Sequence, residues 1–329
     1  MSKREFRLAT EYHFNRSGPV RWILSHMMRY PILPLAALLT AILNNYAFSY
    51  RQILIGEAFD LITAPVWQNS ELLLIALWVV LTAVVQGITG LLRNYSVEVL
   101  AQHVEADSRD ELYVSLLGKS QTFHGRQRIG DIMARATNDV RALNVMFSPG
   151  LMLILDSLMA LVIPILLIGQ LDLRLLLVPL IFLVLLAITV ANYNRRLKPV
   201  SNAQREQFGT MNAGLAESVA GIEVVKANAQ EWREWKSFVS NARLFRDYYV
   251  QQGKIQALYL PMLAFTFTWA SAFLHAMLLW QGGSITLGQG VAFIGLMGTL
   301  RFPTFMSIFT FNLVQLGVAS AERILDMIN

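Results

Sequence analysis

The sequence predicts an all-α integral membrane protein, and its composition is the first observation that supports this fold class. Hydrophobic residues make up 55 % of the 329 residues and charged residues only 15 %, with a mean hydropathy of +0.46. An ordinary soluble domain is far less apolar. The second observation is the length of the uncharged windows, and the third is the distribution of the basic residues.

The uncharged windows predict six transmembrane helices. A helix needs roughly 20 apolar residues to cross a hydrocarbon core of about 30 Å. Four windows of that length contain no Asp, Glu, Lys or Arg: Tyr30–Tyr50, Leu72–Leu92, Leu175–Asn194 and Phe302–Ala321. Ile255–Leu300 provides 46 uncharged residues, enough for two spans, and Ala142–Leu171 is interrupted only by Asp156. We therefore predict one membrane domain over residues 30–329, with spans at 31–55, 72–92, 144–169, 173–194, 255–280 and 287–316.

The basic residues predict the orientation. Six of them precede the first span, seven lie in residues 93–141 and ten in residues 195–254, whereas the predicted outer loops hold only Arg51 and Arg174. Because cytoplasmic loops carry the excess of Lys and Arg, we expect a multi-pass protein of the cell (inner or plasma) membrane with both termini in the cytoplasm. The net charge of +5 then reflects topology, and we expect the lipid bilayer, not nucleic acid, as a partner.

The N-terminal residues are predicted to form a tail and a surface helix. Residues 1–17 are polar and basic and predict a loose tail. Residues 18–29 alternate apolar and basic side chains around Trp22, which favours a helix on the cytoplasmic membrane surface. A juxtamembrane charge anchor without a helix explains the same residues.

Two long polar segments separate the spans. Past Arg93, span two is expected to continue as a helix, to reverse within residues 118–130, and to restart with Asp131 as N-cap. Span four is expected to continue to about Ala227.

The second reversal, residues 228–238, predicts a short helix with Trp232, Trp235 and Phe238 on one face. Such an apolar patch among charged residues is typical of a partner surface. Packing against the chain's own helices is the alternative.

The sequence contains no motif for catalysis or for a resident cofactor. It has no G-x-x-x-x-G-K-[ST] phosphate loop, no H-E-x-x-H pair and no Ser-centred nucleophile elbow, so we predict no catalytic site and no metal site. The absence of cysteine excludes disulfides and thiolate metal sites. The chain is therefore not expected to bind ATP by itself.

Polar residues within the spans are the candidates for a substrate cavity, because they are costly in lipid and usually face a cavity or a partner. The candidates are Asp156, Arg301, Asn44, Asn45, Trp269 and Asn312. Hydrogen bonding between neighbouring helices is the alternative role for these side chains.

Three stretches of the chain resemble those of a known family. They are Gly130-Asp131-Ile132-x-x-Arg135-x-x-Asn138-Asp139-Val140, Glu217-x-x-x-Gly221-Ile222-x-x-Val225-Lys226-Ala227, and the run from Gly283 through Pro303 to Ala319-Ser320-Ala321-Glu322-Arg323-Ile324. In this order among six spans, they resemble the transmembrane domain of six-span ABC exporters (type 1 exporters, type IV fold).

The resemblance implies a set of partners and coupling residues. Two such domains would pair, as a homodimer or a heterodimer, and the two reversals would be coupling helices resting on nucleotide-binding domains. Those partner domains would hold the ATP and Mg²⁺ and are expected on a continuation past Asn329 or on a separate chain. The coupling residues implied are Ser120, Gln121, Phe123, His124, Gln230, Glu231, Trp232, Arg233 and Trp235.

The function expected from this resemblance is the membrane half of an ATP-driven exporter. It would move amphipathic or hydrophobic molecules (drugs, lipids or peptides) by alternating access, as part of an ATP-hydrolysing translocase. Two alternatives remain: an ATP-independent secondary carrier or channel, in which Asp156 would couple transport to protons, and a non-transporting regulatory subunit.

Overall fold

The computed structural model describes Phe6 and residues 12–329, apart from the side chains of three residues in the last helix. In this part of the chain the secondary structure is helical, without a β-strand. The α-helices are α1 (Pro19–Met28), α2 (Ile32–Thr63), α3 (Asn69–Leu117), α4 (Gln121–Arg126), α5 (Ile129–Ala134), α6 (Val140–Val145), α7 (Met152–Leu171), α8 (Leu177–Ala220), α9 (Ile222–Ala227), α10 (Glu231–Ala257), α11 (Leu260–Gln281), α12 (Leu287–Thr299) and α13 (Arg301–Ile328). Two π-helical turns, Arg135–Asp139 and Met146–Leu151, join α5, α6 and α7, and a 3-10 turn, Leu173–Leu176, precedes α8.

The predicted fold class is confirmed. Among the described residues, five helical segments are long and apolar enough to cross a membrane: Ile32–Thr63, Asn69–Leu117, Ile129–Leu171, Leu173–Ala220 and Glu231–Gln281. The predicted sixth span is made of two helices, α12 and α13, which meet at Leu300. The expectation of one uninterrupted helix there is wrong.

Two helices extend far beyond the length that a membrane requires. Helix α3 has 49 residues and α8 has 44, which at 1.5 Å per residue gives lengths of roughly 65–75 Å. The prediction that spans two and four continue as long helices is confirmed. The helix of span four nevertheless ends at Ala220, and α9 resumes after Gly221, a residue with low helix propensity.

The first reversal contains the short helix α4. Its N-cap is Ser120, whose hydroxyl accepts a hydrogen bond from the backbone N–H of Phe123. The next helix starts at Ile129, and Asp131 lies inside its first turn. The prediction of Asp131 as N-cap is therefore wrong, although a carboxylate in the first turn still interacts favourably with the helix dipole.

The second reversal differs from its prediction. Ala229 has a left-handed backbone, φ +52°, and the chain then enters the 27-residue helix α10 at Glu231. No proline interrupts residues 231–257, and Glu231 and Glu234 in the first turn favour a helix start. The predicted short helix is wrong, because these residues form the first turns of a long one.

The chain divides into two compact units, and the first comprises residues 1–179 and 269–329. A buried apolar cluster in it draws on α1, α3, α6 and α13, with residues such as Trp22, Leu100, Leu143 and Ile324. Elsewhere in this unit α2 packs closely on α12. At this contact a Cβ added to Gly56 or to Gly288 would overlap the backbone of the other glycine.

The second unit, residues 180–268, contains an antiparallel hairpin of α8 and α10. Tyr193 packs on Tyr259 with ring centroids 5.1 Å apart, and Phe208 packs on Phe245 at 5.4 Å. Gln207 donates to the Asn241 side chain at 3.2 Å and Ser218 to the Glu234 carboxylate at 2.6 Å. Residues further along α8 contact residues nearer the start of α10, so the two helices run in opposite directions.

The N-terminal residues are more ordered than a loose tail. The Phe14 ring stacks on His26 at 3.5 Å, and the Arg16 guanidinium donates to Glu111 at 2.6 Å. The predicted loose tail is therefore wrong for residues 12–17, whereas residues 1–5 and 7–11 lie outside the described part.

The predicted surface segment forms helix α1, but its tryptophan is not at an interface. Trp22 is fully buried and donates to the Glu111 carboxylate at 2.8 Å. Val20, Leu24 and Met28 form an exposed apolar stripe on α1, so contact of this stripe with a membrane remains a prediction.

Candidate functional site

A pocket of about 290 Å³ lies among the membrane-spanning helices of the first unit. Helices α2, α3, α7, α12 and α13 contribute its walls. The pocket is lined by Asn44, Asn45, Phe48, Ser49, Gln86, Arg93, Asp156, Ala160, Thr299 and Phe302. Amides, one positive charge and one negative charge therefore share a small space with two aromatic rings.

The two charged residues of the pocket form an ion pair. Arg93 of α3 donates from Nη1 to Oδ1 of Asp156 on α7, and the exposed fractions of the two side chains are 12 % and 15 %. An isolated charge in a membrane is costly, whereas a paired one is tolerated. The pair therefore explains how α3 and α7 can place charges there.

Hydrogen bonds fix the amides of the pocket. The Asn44 side chain donates to the backbone carbonyl of Gln86 at 2.7 Å and to the Thr89 hydroxyl at 3.2 Å. Arg51 donates to the Gln86 side-chain oxygen at 2.5 Å. These contacts join α2 to α3 along one wall, so the wall is positioned before any ligand arrives.

The structure brings together three of the six predicted cavity residues. Asp156, Asn44 and Asn45 line the pocket. Arg301 and Asn312 are exposed on α13 and are not part of its lining, and half-exposed Trp269 donates to the Ile294 carbonyl at 3.3 Å. A substrate-binding role for each of the six remains a prediction.

Sequence reasoning missed Arg93 as a pocket residue, because it stands directly after the uncharged window of span two and was interpreted as the exit from the membrane. Its partner Asp156 is 63 positions away on another helix, so the sequence offered no signal that links the two. Among the described residues, no group of three His, Asp or Glu side chains is placed to hold a metal ion.

The first implied coupling segment is helix α4, in the first unit. His124 places Nε2 at 3.0 Å from the Leu116 carbonyl, at the end of α3. The Lys119 ammonium lies 5.2 Å from the centre of the Phe123 ring. Residues 121–126 are all exposed or only partly buried, so α4 offers a short, water-accessible surface.

The second implied coupling segment is the start of α10, in the second unit. Trp232 and Trp235 stack at 4.7 Å and remain 71 % and 53 % exposed. Because both rings are largely exposed, the alternative of packing against the chain's own helices does not apply to them. Lys226 forms an ion pair with Glu231 at 2.9 Å across the turn, which ties α9 to α10 just before the tryptophans.

Two of the stretches that carry the family resemblance touch each other. The Arg323 guanidinium binds both oxygens of Asp139, at 2.5 and 3.1 Å, and Arg135 donates to the Arg323 carbonyl. The Asp139 carboxylate raises the pKa of Arg323. The contact fastens the last helix, α13, to the helical segment that leads into α7.

Comparison with known proteins identifies the class. The family model described as the ABC transporter transmembrane region matches residues 35–304. The chain therefore belongs to this family, as the sequence resemblance predicted, and it is a multi-pass membrane protein.

Individual relatives are distant and longer. The chain is 26 % identical over 94 % of its length to the uncharacterized ABC transporter ATP-binding protein YknV of Bacillus subtilis, covering 53 % of that protein. It is 27 % identical over 91 % of its length to the probable multidrug resistance ABC transporter ATP-binding/permease protein YheI of the same organism, covering 51 %. It is 25 % identical over 78 % of its length to the ATP-dependent lipid A-core flippase of Pseudomonas aeruginosa, covering 42 %. The chain thus spans about half the length of the curated relatives it matches.

Proposed function

We propose that this chain is the membrane-spanning half of an ATP-driven exporter. It pairs with a second transmembrane domain and works with nucleotide-binding domains that hold the ATP and Mg²⁺. The observation that carries the proposal is the exposed Trp232–Trp235 pair at the turn of the α8–α10 hairpin. Exposed stacked tryptophans on a charged helix suit a protein partner, and the names of the relatives include ATP-binding proteins.

The long helices supply the mechanism. A push on the α4 or α10 surface by a closing ATPase would be transmitted along α3 or α8 as a rigid-body movement of the spans. The membrane domain would then alternate between openings to the two sides of the cell membrane, with both termini in the cytoplasm.

Amphipathic molecules are the proposed substrates. The relatives named as a multidrug resistance transporter and as a lipid A-core flippase support this class, and so does the mixed lining of the pocket around Asp156. Its small volume suits the polar part of such a molecule.

The test is a double substitution, Trp232→Ala with Trp235→Ala, in the complex purified from native membranes. We expect the substrate-stimulated rate of ATP hydrolysis to fall to the unstimulated rate, because the coupling contact is lost. Tyr249→Ala on the same helix is the matched control, since Tyr249 is 63 % exposed and lies about four to five turns away. Unchanged stimulation in the double variant would contradict the coupling role.

An ATP-independent carrier is the second candidate, favoured by one observation: the Asp156 carboxylate lines a pocket within the spans. In that case Asp156→Asn would abolish flux driven by a proton gradient in vesicles without ATP. The ATP-driven proposal predicts no such gradient-driven flux in the wild type.

A further inference from the structure

We propose that the pocket around Arg93 and Asp156 binds the zwitterionic head group of an amphiphile. That this ligand is the exported substrate rests on the proposed function. That the pocket binds it does not, and binding can be measured on the 329-residue chain. The shared chemistry is one anionic and one cationic group a few atoms apart, as in phosphoethanolamine.

The geometry of the ion pair allows exchange with a ligand. The contact joins one guanidinium nitrogen to one carboxylate oxygen, so it lacks the two parallel bonds of the strongest Arg–carboxylate pairs. Among the described residues, the other Arg93 nitrogens, Nε and Nη2, are hydrogen-bonded to the neighbouring Asn94 at 3.4 and 3.2 Å. Both partners keep part of their surface exposed to the pocket, so a ligand there can touch both charges.

Electrostatics selects the class of ligand. A ligand with a single charge would displace Arg93 or Asp156 from its partner and leave the other without a counter-charge in a poorly solvated site, which is strongly unfavourable. A ligand with both charges replaces one pair by two pairs and leaves no charge uncompensated. The pocket is therefore matched to a zwitterion.

The rest of the lining suits a head group with a tail. The volume of about 290 Å³ is at the small end of ligand sites and holds a head group without its acyl chains. Asn44, Asn45 and Gln86 supply hydrogen-bonding amides, and Phe48 and Phe302 supply apolar surface. Because the pocket lies within spans, a tail can remain among the exposed apolar side chains of the helices.

Native mass spectrometry of the chain in dodecyl maltoside, an uncharged detergent, tests the proposal. Four dioleoyl lipids with identical tails are offered at equal concentration: phosphatidylethanolamine (zwitterionic), phosphatidylglycerol (anionic), trimethylammonium-propane (cationic) and diacylglycerol (uncharged). We expect retention of phosphatidylethanolamine to exceed that of each other lipid at least tenfold. Equal retention of all four, or a preference for one singly charged lipid, would overturn the proposal.

Substitutions at the pair should redirect the preference in a defined way. Asp156→Asn leaves a lone Arg93 and should shift retention to phosphatidylglycerol, whereas Arg93→Gln should shift it to the cationic lipid. The inverted pair, Arg93→Asp with Asp156→Arg, should keep the zwitterion preference, and Arg93→Gln with Asp156→Asn should abolish any preference. Unchanged selectivity in all four variants would also overturn the proposal.

Two controls separate folding and ligand source from the result. Lys226→Gln with Glu231→Gln removes an exposed ion pair elsewhere and should leave lipid retention unchanged, and size-exclusion profiles verify that each variant is folded. Glycerophosphoethanolamine has the same head group without tails. Displacement of the lipid by this soluble compound assigns a free zwitterion as the ligand, and failure to displace assigns a membrane lipid. No ATP is needed, so loss of transport would leave this result intact.

Discussion

Two carboxylates in the first unit, the buried Glu111 and the partly buried Asp156, have different surroundings. Glu111 accepts from Arg16 at 2.6 Å and from Trp22 at 2.8 Å, with His26 at 3.4 Å, and its side chain is 2 % exposed. Asp156 pairs with Arg93 and lies within hydrogen-bonding reach of the Asn45 side chain, is 15 % exposed and lines a pocket. Glu111 is enclosed by its donors, whereas Asp156 keeps part of its surface exposed in a pocket.

The difference separates a structural role from a binding role. A buried charge that is fully hydrogen-bonded fastens elements together, here the N-terminal residues and α1 to α3, and has no capacity left for a ligand. A partly exposed charge that lines a pocket can exchange a partner for a ligand. We therefore propose that Glu111 stabilises the fold and that Asp156 binds ligand, and substitutions can test this proposal.

Substitution of Glu111 should have the largest effect. Glu111→Gln removes the charge that pairs with Arg16, and we expect the free energy of unfolding to fall by about 3 kcal/mol. Unfolding in mixed micelles of dodecyl maltoside and dodecyl sulfate measures this value. Asp110→Asn, at an exposed position beside it, should change stability by less than about 0.5 kcal/mol. Equal effects of the two substitutions would remove the distinction between the sites.

Single substitutions in the pocket pair should have an intermediate effect. Arg93→Gln or Asp156→Asn alone leaves one charge without its partner, and we expect a loss of about 1–2 kcal/mol, less than in a dry core because the pair is partly exposed. The double variant should recover most of that loss. A double-mutant cycle in the same micelles measures the coupling, and strictly additive losses would show that the two residues do not pair.

The contact between Arg323 and Asp139 should have a smaller effect. It is bidentate, but the Arg323 side chain is 46 % exposed, so solvent screens it. We expect Arg323→Gln to cost about 1 kcal/mol. Faster proteolysis near the end of α13 in this variant, measured against the wild type, would locate the loss at that helix.

The exposed pair Lys226–Glu231 should have the smallest effect. Its side chains are 65 % and 48 % exposed, and solvent screens such pairs so that they contribute little to stability. Lys226→Ala should therefore leave the unfolding transition nearly unchanged. A loss as large as that of Glu111→Gln would mean that exposure does not distinguish structural from dispensable charges in this chain.

The comparison also shows what the sequence could predict. Uncharged windows and charge counts are local, and they predicted the membrane fold, the lengths of α3 and α8 and the helix α1. Arg16 and Glu111 are 95 positions apart, and nothing in a single sequence links them. Trp22 was therefore interpreted from its neighbours as an interfacial residue, although in the structure it is buried and donates to a carboxylate 89 positions away.

The same limit applies to the candidate sites. Asp156, Asn44 and Asn45 were recognisable because polar residues stand out in apolar windows, whereas Arg93 stood at a window's edge and its partner on another helix was invisible. At residues 228–238 the turn was predicted, but the helix after it was predicted too short. Helix length there depends on the absence of a terminator over the next 20 or so residues.

The central claim is that the chain works as the membrane half of an ATP-driven exporter. The most direct test is to isolate the chain from its native membranes in mild detergent and to identify the associated peptides by mass spectrometry. The account predicts recovery of an ATP-binding subunit, or of peptides that continue past Asn329 into a phosphate loop. Repeated recovery of the 329-residue chain with neither would contradict it and favour the ATP-independent carrier.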